Sequence, residues 1–160
     1  MLATRLAKLG WHAVTARAVL AAVHPQAKLN REDLQQLGAR LEAERPGSWL
    51  MEAAAAASRP AVVDAARTEA QVVAARSLLP GCLVVHLDAP VEVRRARFAS
   101  RADPSDRGIE FDALRAGALE QEAEDLGRMA DLTLDAGATP EALLDLVLER
   151  AVVRGQDQRG

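Results

Sequence analysis

Aromatic side chains are scarce in this sequence of 160 residues, which contains two Trp, two Phe and no Tyr. Proteins that bind single-stranded nucleic acid commonly stack bases on exposed aromatic rings, so this class of function is disfavoured. Lysine is also rare, because Lys8 and Lys28 stand against 18 Arg, and the net charge is −3. We therefore expect no overall positive field that would attract nucleic acid or an anionic membrane.

Cysteine and long apolar runs are equally limited. Cys82 is the single cysteine, so no disulfide can form within the chain, and its place beside a short apolar run predicts a small core residue. No stretch of about 18 apolar residues is present, so we expect no transmembrane helix. Arg5, Lys8 and Arg17 interrupt any signal-peptide core. These features predict a cytoplasmic protein.

Short apolar segments alternate with longer amphipathic segments along the chain. We expect strands at residues 12–15, 61–64, 83–87 and 131–135. We expect helices at residues 1–9, 16–23, 31–44, 48–57, 68–79, 90–101, 111–127 and 140–153, with Asn30, Ser48 and Thr139 as N-caps. The alternation predicts an α/β fold in which helices cover both faces of a parallel sheet. The length predicts a single domain at residues 1–155, followed by a frayed tail at 156–160.

The most informative stretch is the apolar run 83–87 with the arginine-rich helix that follows it. Pro90 is expected at the first helical position. Arg94, Arg97 and Arg101 are spaced three and four apart, so they share one helical face. Guanidinium groups just beyond the carboxyl end of a buried parallel strand are suited to holding an anionic ligand. The alternative interpretation is an ordinary solvated basic face.

A second candidate site follows the predicted strand 61–64. Asp64 ends that strand, where a carboxylate is well placed for a magnesium-bound water. Arg67, three residues later, can bind a substrate phosphate with a bidentate guanidinium. The alternative is that Asp64 is an ordinary N-cap of the next helix.

The third candidate is the loop segment at residues 102–110, where Arg101 and Arg107 flank the stretch Ala-Asp-Pro-Ser-Asp. A loop of this kind is typical of a lid that closes over phosphates and excludes water. The alternative is a surface loop in which these arginines pair with Asp103 and Asp106.

The order of these segments resembles the P-loop nucleotide and nucleoside monophosphate kinases, particularly their dephospho-CoA-kinase-like and deoxynucleotide-kinase-like members. Residues 63–70, Val-Asp-Ala-Ala-Arg-Thr-Glu-Ala, are similar to the acidic strand end of that family, although Ala65 stands where Gly is usual. Residues 84–101 are similar to the strand, Ala-Pro turn and arginine helix that precede the lid. The remaining similar segments are residues 2–7, 12–15, 34–38, 45–50 and 129–135.

The resemblance implies phosphoryl transfer from ATP, with Mg²⁺, to a nucleotide-like or coenzyme-like acceptor. It implies a substrate-binding helical section at about 20–58 and a lid at about 98–112. The implied catalytic residues are Asp64, which organises Mg²⁺ through water, and Arg97 and Arg101, which stabilise the transferring group. The implied substrate-binding residues are Arg67, Arg94 and Arg107.

The loop Gly-x-x-x-x-Gly-Lys-Ser/Thr, which names that family, is not found in these 160 residues. With it the family's first strand, at the centre of the sheet, is missing, and the predicted helix at 1–9 begins without a cap. We therefore expect an N-terminally truncated kinase whose chain alone is marginally stable or prone to aggregate. Two alternatives remain: a non-catalytic module that binds phosphate compounds without ATP, and an interaction protein whose sheet is completed by another chain or in an oligomer.

Overall fold

The structure is a computed structural model that describes residues 2–25, 30–57, 60–100, 108, 110–116, 122 and 125–157. The chain divides into two compact units between Cys82 and Leu83. The described residues contain eight α-helices and two parallel two-stranded sheets. This confirms the expected mixed α/β composition with parallel strands.

The first unit contains one of the two sheets. Strand β1 (His12–Thr15) pairs in parallel with β2 (Ala61–Asp64), and Thr15 lies opposite Asp64 at the carboxyl ends. The helices of this unit are α1 (Leu2–Lys8), α2 (Ala16–Val23), α3 (Arg31–Glu44), α4 (Ser48–Ala56) and α5 (Glu69–Leu78). All these bounds fall within one residue of those expected from the hydrophobic pattern.

Side-chain caps explain where several of these helices begin. The Asn30 carbonyl oxygen accepts a hydrogen bond from the Asp33 backbone N–H at 2.8 Å, which confirms the predicted cap of α3. Thr15 and Thr68 cap α2 and α5 in the same way, with N···O distances of 3.2 Å. The prediction that Ser48 caps α4 is wrong: Ser48 is the first helical residue and Gly47 precedes it with φ of 69°.

Helix α4 supplies the centre of the core of the first unit. Leu50 and Met51 are 0% and 1% exposed, and Trp49 and Ala54 are also buried. They pack with buried residues of β1, α2, α3 and α5: Val14, Leu20, Leu41 and Ala75. Half-buried Cys82 packs against the same cluster, in agreement with its predicted core position. This packing holds the start of α4 against the start of α5.

The second unit contains the other sheet. Strand β3 (Val85–Asp88) pairs in parallel with β4 (Leu132–Asp135), so that Asp88 lies opposite Asp135. The helices are α6 (Val91–Ser100), α7 (Phe111–Arg115) and α8 (Pro140–Asp157), with a 3₁₀ turn at Leu126–Met129. Thr139 caps α8 as predicted, because its hydroxyl oxygen accepts from the Ala142 N–H at 3.3 Å. No helix among the described residues is long and apolar enough to span a bilayer.

Strand β3 differs from the buried strand predicted at 83–87. Its first two residues are half-buried, but Leu87 and Asp88 are exposed. The Val84 N–H donates to the Asp131 carboxylate at 2.8 Å, so the regular pairing of β3 with β4 starts at Val85. Pro90 lies one residue before α6, and its carbonyl accepts from the Arg94 N–H at 3.0 Å.

Two predicted helices differ in length. The helix expected at 111–127 is observed as α7 at its start, whereas residues 126–127 belong to the 3₁₀ turn, and residues 117–121 and 123–124 lie outside the described part of the chain. Helix α8 continues to Asp157, four residues beyond the predicted end and into the expected frayed tail. Its apolar residues Leu143 and Val147 are buried, which explains why the helix forms.

Candidate functional site

The connection between β2 and α5 carries two of the predicted site residues. Asp64 is the last residue of β2 and is half-buried, and Arg67 is exposed three residues later. The alternative that Asp64 caps α5 is wrong, because Thr68 occupies that position. The Asp64 carboxylate therefore does not cap the helix. It lies at the carboxyl end of a parallel sheet, which is the edge where open α/β folds bind ligands.

A hydrogen-bond network centred on Glu42 lies beside this connection. The Glu42 carboxylate accepts from the Gly47 backbone N–H at 3.0 Å and from the Trp49 indole Nε1–H at 2.6 Å. It also accepts from the Thr68 hydroxyl at 3.0 Å and the Gln71 side-chain amide at 3.2 Å. One carboxylate thus joins α3, the turn before α4, and the start of α5.

Gln71 extends this network to Arg67. The Gln71 side chain is buried, and its oxygen accepts a hydrogen bond from the Arg67 backbone N–H at 2.8 Å. Because Gln71 donates to Glu42 with its nitrogen, its orientation is fixed by that carboxylate. The backbone of Arg67 is therefore held in place while its guanidinium-bearing side chain is exposed.

Gly47 brings the turn before α4 into direct contact with α5. Its φ of 69° lies in the left-handed region, and a Cβ at this position would lie 2.1 Å from the Ala70 carbonyl oxygen. Only glycine fits both the backbone conformation and the close approach. A groove of about 340 Å³ between this turn and α5 is lined by residues that include Pro46, Ser48 and Ala70.

In the second unit, the predicted arginine face is only partly engaged with the sheet. Arg97 donates from Nη2 to the Ala136 carbonyl oxygen at 2.6 Å, just beyond the end of β4. Arg94 is half-buried on the same helix. Arg101, Arg107 and most of the predicted lid lie outside the described residues.

Sequence analysis missed Arg95 of α6, which is held by a bidentate ion pair and by an aromatic ring. Its guanidinium donates to both Asp112 carboxylate oxygens, at 2.8 and 2.9 Å, and lies 5.1 Å from the centroid of the Phe111 ring. The Phe111 ring also packs against Phe98 at 5.8 Å between centroids. Arg95 and Phe98 are spaced by three residues, which is the sequence signal that α6 has this second face.

The Arg95–Asp112 pair gives a prediction about pH. The hydrogen bond from Arg95 lowers the pKa of Asp112 below its ordinary value. The stability that this pair contributes is therefore present above the ordinary Asp pKa of about 3.9 and is lost as the pH falls through the lower pKa of the folded state. Both side chains are more than half exposed, so we expect a small contribution to stability but a measurable shift of the titration midpoint.

A carboxyl-detected NMR titration of Asp112 measures this effect. We expect a midpoint below that of an ordinary Asp in the wild type and a return to the ordinary midpoint in the Arg95→Gln variant. Arg150→Gln, which removes an exposed arginine of α8, is the matched control and should leave the midpoint unchanged. An identical Asp112 midpoint in wild type and Arg95→Gln would contradict the observed pairing.

Metal ligation by a cluster of side chains is not found in the described part of the chain, which contains no group of three or more His, Cys, Asp or Glu side chains placed to hold an ion. His12 lies on β1 and His86 on β3, whereas His24 is the residue that follows α2. His86 is half-buried, and its ring lies within 3.3 Å of the position a Cβ would take at Gly127. Asp64 remains the single carboxylate predicted to bind Mg²⁺ through water.

Comparison with other proteins adds no relative to this description. No protein-family model matches the sequence, and no curated protein matches it.

Proposed function

We propose that this chain carries the acceptor-binding part of a P-loop-type small-molecule kinase that acts in the cytoplasm. The acceptor is a phosphorylated compound, nucleotide-like or coenzyme-like, and its phosphate binds Arg67. The proposed fold is a three-layer α/β arrangement of the P-loop kinase type whose first, central strand is missing. The resemblance of the sequence segments to that family supports this choice.

The observation that carries the proposal is the rigid connection between β2 and α5. Asp64 and Arg67 lie three residues apart at the carboxyl end of the sheet, and the Arg67 backbone is fixed through Gln71. A carboxylate and a guanidinium in this arrangement suit a phosphate and its Mg²⁺ counter-ion. Asp64 would organise Mg²⁺ through water, and the binding energy would be used to position the acceptor.

The arginines of α6 and the predicted lid complete the proposed assignment. Arg94 and Arg107 would bind the substrate, and Arg97 and Arg101 would stabilise the transferring phosphoryl group, as positively charged side chains do in this reaction class. Arg97 already lies at the carboxyl edge of the sheet formed by β3 and β4.

ATP is not expected to bind this chain tightly by itself. The Gly-rich loop whose backbone N–H groups and lysine hold the ATP phosphates is not found in the 160 residues. We therefore propose that the chain binds a phosphorylated acceptor without turning over ATP. Phosphoryl transfer would belong to a protein that also contains that loop.

A second candidate function is an interaction module whose sheets are completed by another chain. It is favoured by one observation: among the described residues, β2 pairs only with β1, and β3 pairs only with β4. Each strand thus has one edge without a ladder partner, which is a site for adding a strand. A stable oligomer at micromolar concentration, with no affinity for phosphate compounds, would favour this function over the first.

Titration calorimetry with a panel of nucleoside monophosphates and dephospho-coenzyme A tests the first proposal. We expect one of these compounds to bind and Arg67→Ala to weaken it by about 10- to 100-fold, as for loss of a charge-assisted hydrogen bond to phosphate. Arg76→Ala, which removes an exposed arginine within α5, is the matched control. Equal affinities for wild type and Arg67→Ala would remove Arg67 from the site, and no binding by any compound would reject the proposal.

A further inference from the structure

Glu42 lies on α3, where Glu32 and Glu44 make ordinary contacts within the same helix. Glu44 pairs with Arg40 one turn away and Glu32 accepts from Gln36, all on exposed surface. The Glu42 carboxylate instead accepts hydrogen bonds from four neutral donors in two separate segments, residues 47–49 and 68–71. A carboxylate that accepts hydrogen bonds from four converging donors is held in one position, unlike a surface carboxylate that is solvated by water.

We propose that Glu42 is a positioning residue for Arg67, acting through Gln71. Glu42 accepts from the Gln71 nitrogen at 3.2 Å, and the Gln71 oxygen accepts from the Arg67 N–H at 2.8 Å. The first contact determines which way the Gln71 amide faces, and the second places the backbone from which the Arg67 side chain extends. The consequence for phosphate binding rests on the proposed function of Arg67, whereas the effect on the backbone does not.

The chemistry of the Gln71 amide explains why Glu42 determines its orientation. A primary amide presents an oxygen on one side and a nitrogen on the other, so it can face Arg67 with its oxygen only when a suitable acceptor lies opposite. Gln71 is 6% exposed, so water cannot readily replace the carboxylate as that acceptor. Removal of the acceptor oxygen of Glu42 that faces Gln71 therefore frees Gln71 to rotate and deprives the Arg67 N–H of its partner.

Glu42→Gln is the most conservative test of this inference. The variant keeps the size of the side chain but replaces one acceptor oxygen by an NH₂ group. In either orientation that NH₂ meets an N–H donor, from the Gly47 backbone or the Trp49 indole, so the four contacts cannot all be retained. Glu52→Gln is the matched control, because it makes the same change of charge on α4 at an exposed residue that pairs with Arg45.

Amide hydrogen exchange gives the first readout, which is independent of any ligand. We expect exchange of the Arg67 N–H to speed up on the order of tenfold in Glu42→Gln, relative to amides in the middle of α4, because one hydrogen bond is lost. Glu52→Gln should leave the Arg67 rate unchanged. An Arg67 exchange rate equal to that of wild type both in Glu42→Gln and in Glu42→Met, which keeps no acceptor oxygen for Gln71, would overturn the inference.

Binding of inorganic phosphate, followed by NMR, gives the second readout. We expect Glu42→Gln to raise the dissociation constant several-fold although Arg67 itself is unchanged, and Glu52→Gln to have no effect. Faster exchange at Arg67 with unaltered phosphate affinity would overturn the role of Glu42 in binding. Absence of phosphate binding by the wild type would count against the function proposed for Arg67, and the exchange rates would then decide the positioning role alone.

A second variant keeps the inference testable if Glu42→Gln does not fold. Gln71→Met has a side chain of similar length that can neither donate to Glu42 nor accept from the Arg67 N–H, while three of the four donors to Glu42 remain. We expect the same acceleration of exchange at Arg67, with the Trp49 indole N–H resonance unchanged. Retained protection of the Arg67 amide in Gln71→Met would show that another group positions it.

Discussion

Replacing Gly47 by Ala is expected to destabilise the first unit by about 2–4 kcal/mol, from left-handed backbone strain together with overpacking. The φ of 69° disfavours any residue with a Cβ, and that Cβ would lie 2.1 Å from the Ala70 carbonyl oxygen. Because the obstructing atoms belong to the backbone at the start of α5, relief requires α5 to move away from the turn. Such a movement would also stretch the contacts of Glu42 with Thr68 and Gln71.

Urea unfolding, monitored by tryptophan fluorescence, measures the effect of Gly47→Ala, and Gly38→Ala is the matched control. Gly38 lies in the interior of α3, where a Cβ would meet only Leu20 Cδ1 at 3.9 Å. Ala at that position should stabilise the helix by about 0.5–1 kcal/mol. Opposite signs for the two variants are expected. A Gly47→Ala protein as stable as wild type would show that the turn does not approach α5 as closely as described.

Replacing Thr68 by Val is expected to cost about 2 kcal/mol, the sum of two lost hydrogen bonds. The Thr68 hydroxyl accepts from the Gln71 N–H as the cap of α5, and it donates to the Glu42 carboxylate. Val has nearly the same shape, so little packing should be lost at this buried residue. The variant therefore reports on hydrogen bonding rather than on a cavity.

Thr15→Val separates the two contributions. Thr15 also caps a helix, with the same 3.2 Å distance from its hydroxyl oxygen to the Ala18 backbone nitrogen. We expect its replacement to cost about 1 kcal/mol, the typical effect of losing a cap. The excess in Thr68→Val over Thr15→Val, measured by urea unfolding, then gives the contribution of the bond to Glu42. Equal losses in the two variants would mean that this bond contributes nothing to stability.

The secondary structure of the first unit could be predicted because its signals are local. Period-two and period-3.6 patterns place β1, β2 and the five helices, and Asn30 marks the start of α3 by a contact only three residues away. Gly47 shows the limit of that reasoning. The dipeptide Pro46-Gly47 is a local turn signal, but the left-handed conformation that excludes Ser48 as a cap depends on how closely α5 approaches.

The Glu42 network could not be predicted, because two of its four partners are distant in the sequence. The Thr68 and Gln71 side chains that bind Glu42 lie 26 and 29 residues away. In the sequence, Glu42 is one of several acidic residues on α3 and carries no distinguishing neighbour. Tertiary packing, rather than local pattern, brings the four donors to one carboxylate.

The arginines of α6 show a related limit. Their spacing predicts which residues share a face, but it does not indicate what that face contacts. Arg97 reaches a carbonyl group 39 residues away, and Arg95, outside the predicted set, binds Asp112 through both carboxylate oxygens. The strand before α6 was expected to be buried because it is apolar. Within the described part of the chain, however, it pairs with one strand, and its end is exposed.

The central claim is that the connection from Asp64 to Thr68 binds the phosphate of an acceptor. Its most direct test is a ¹H–¹⁵N NMR titration of the wild-type chain with a nucleoside monophosphate, followed by the same titration with the matching nucleoside. We predict saturable shifts of the Arg67 side-chain Nε–H and of the backbone amides of Asp64 and Thr68 with the monophosphate only. If these resonances do not move for any nucleoside monophosphate, or move equally with the nucleoside, the account is wrong.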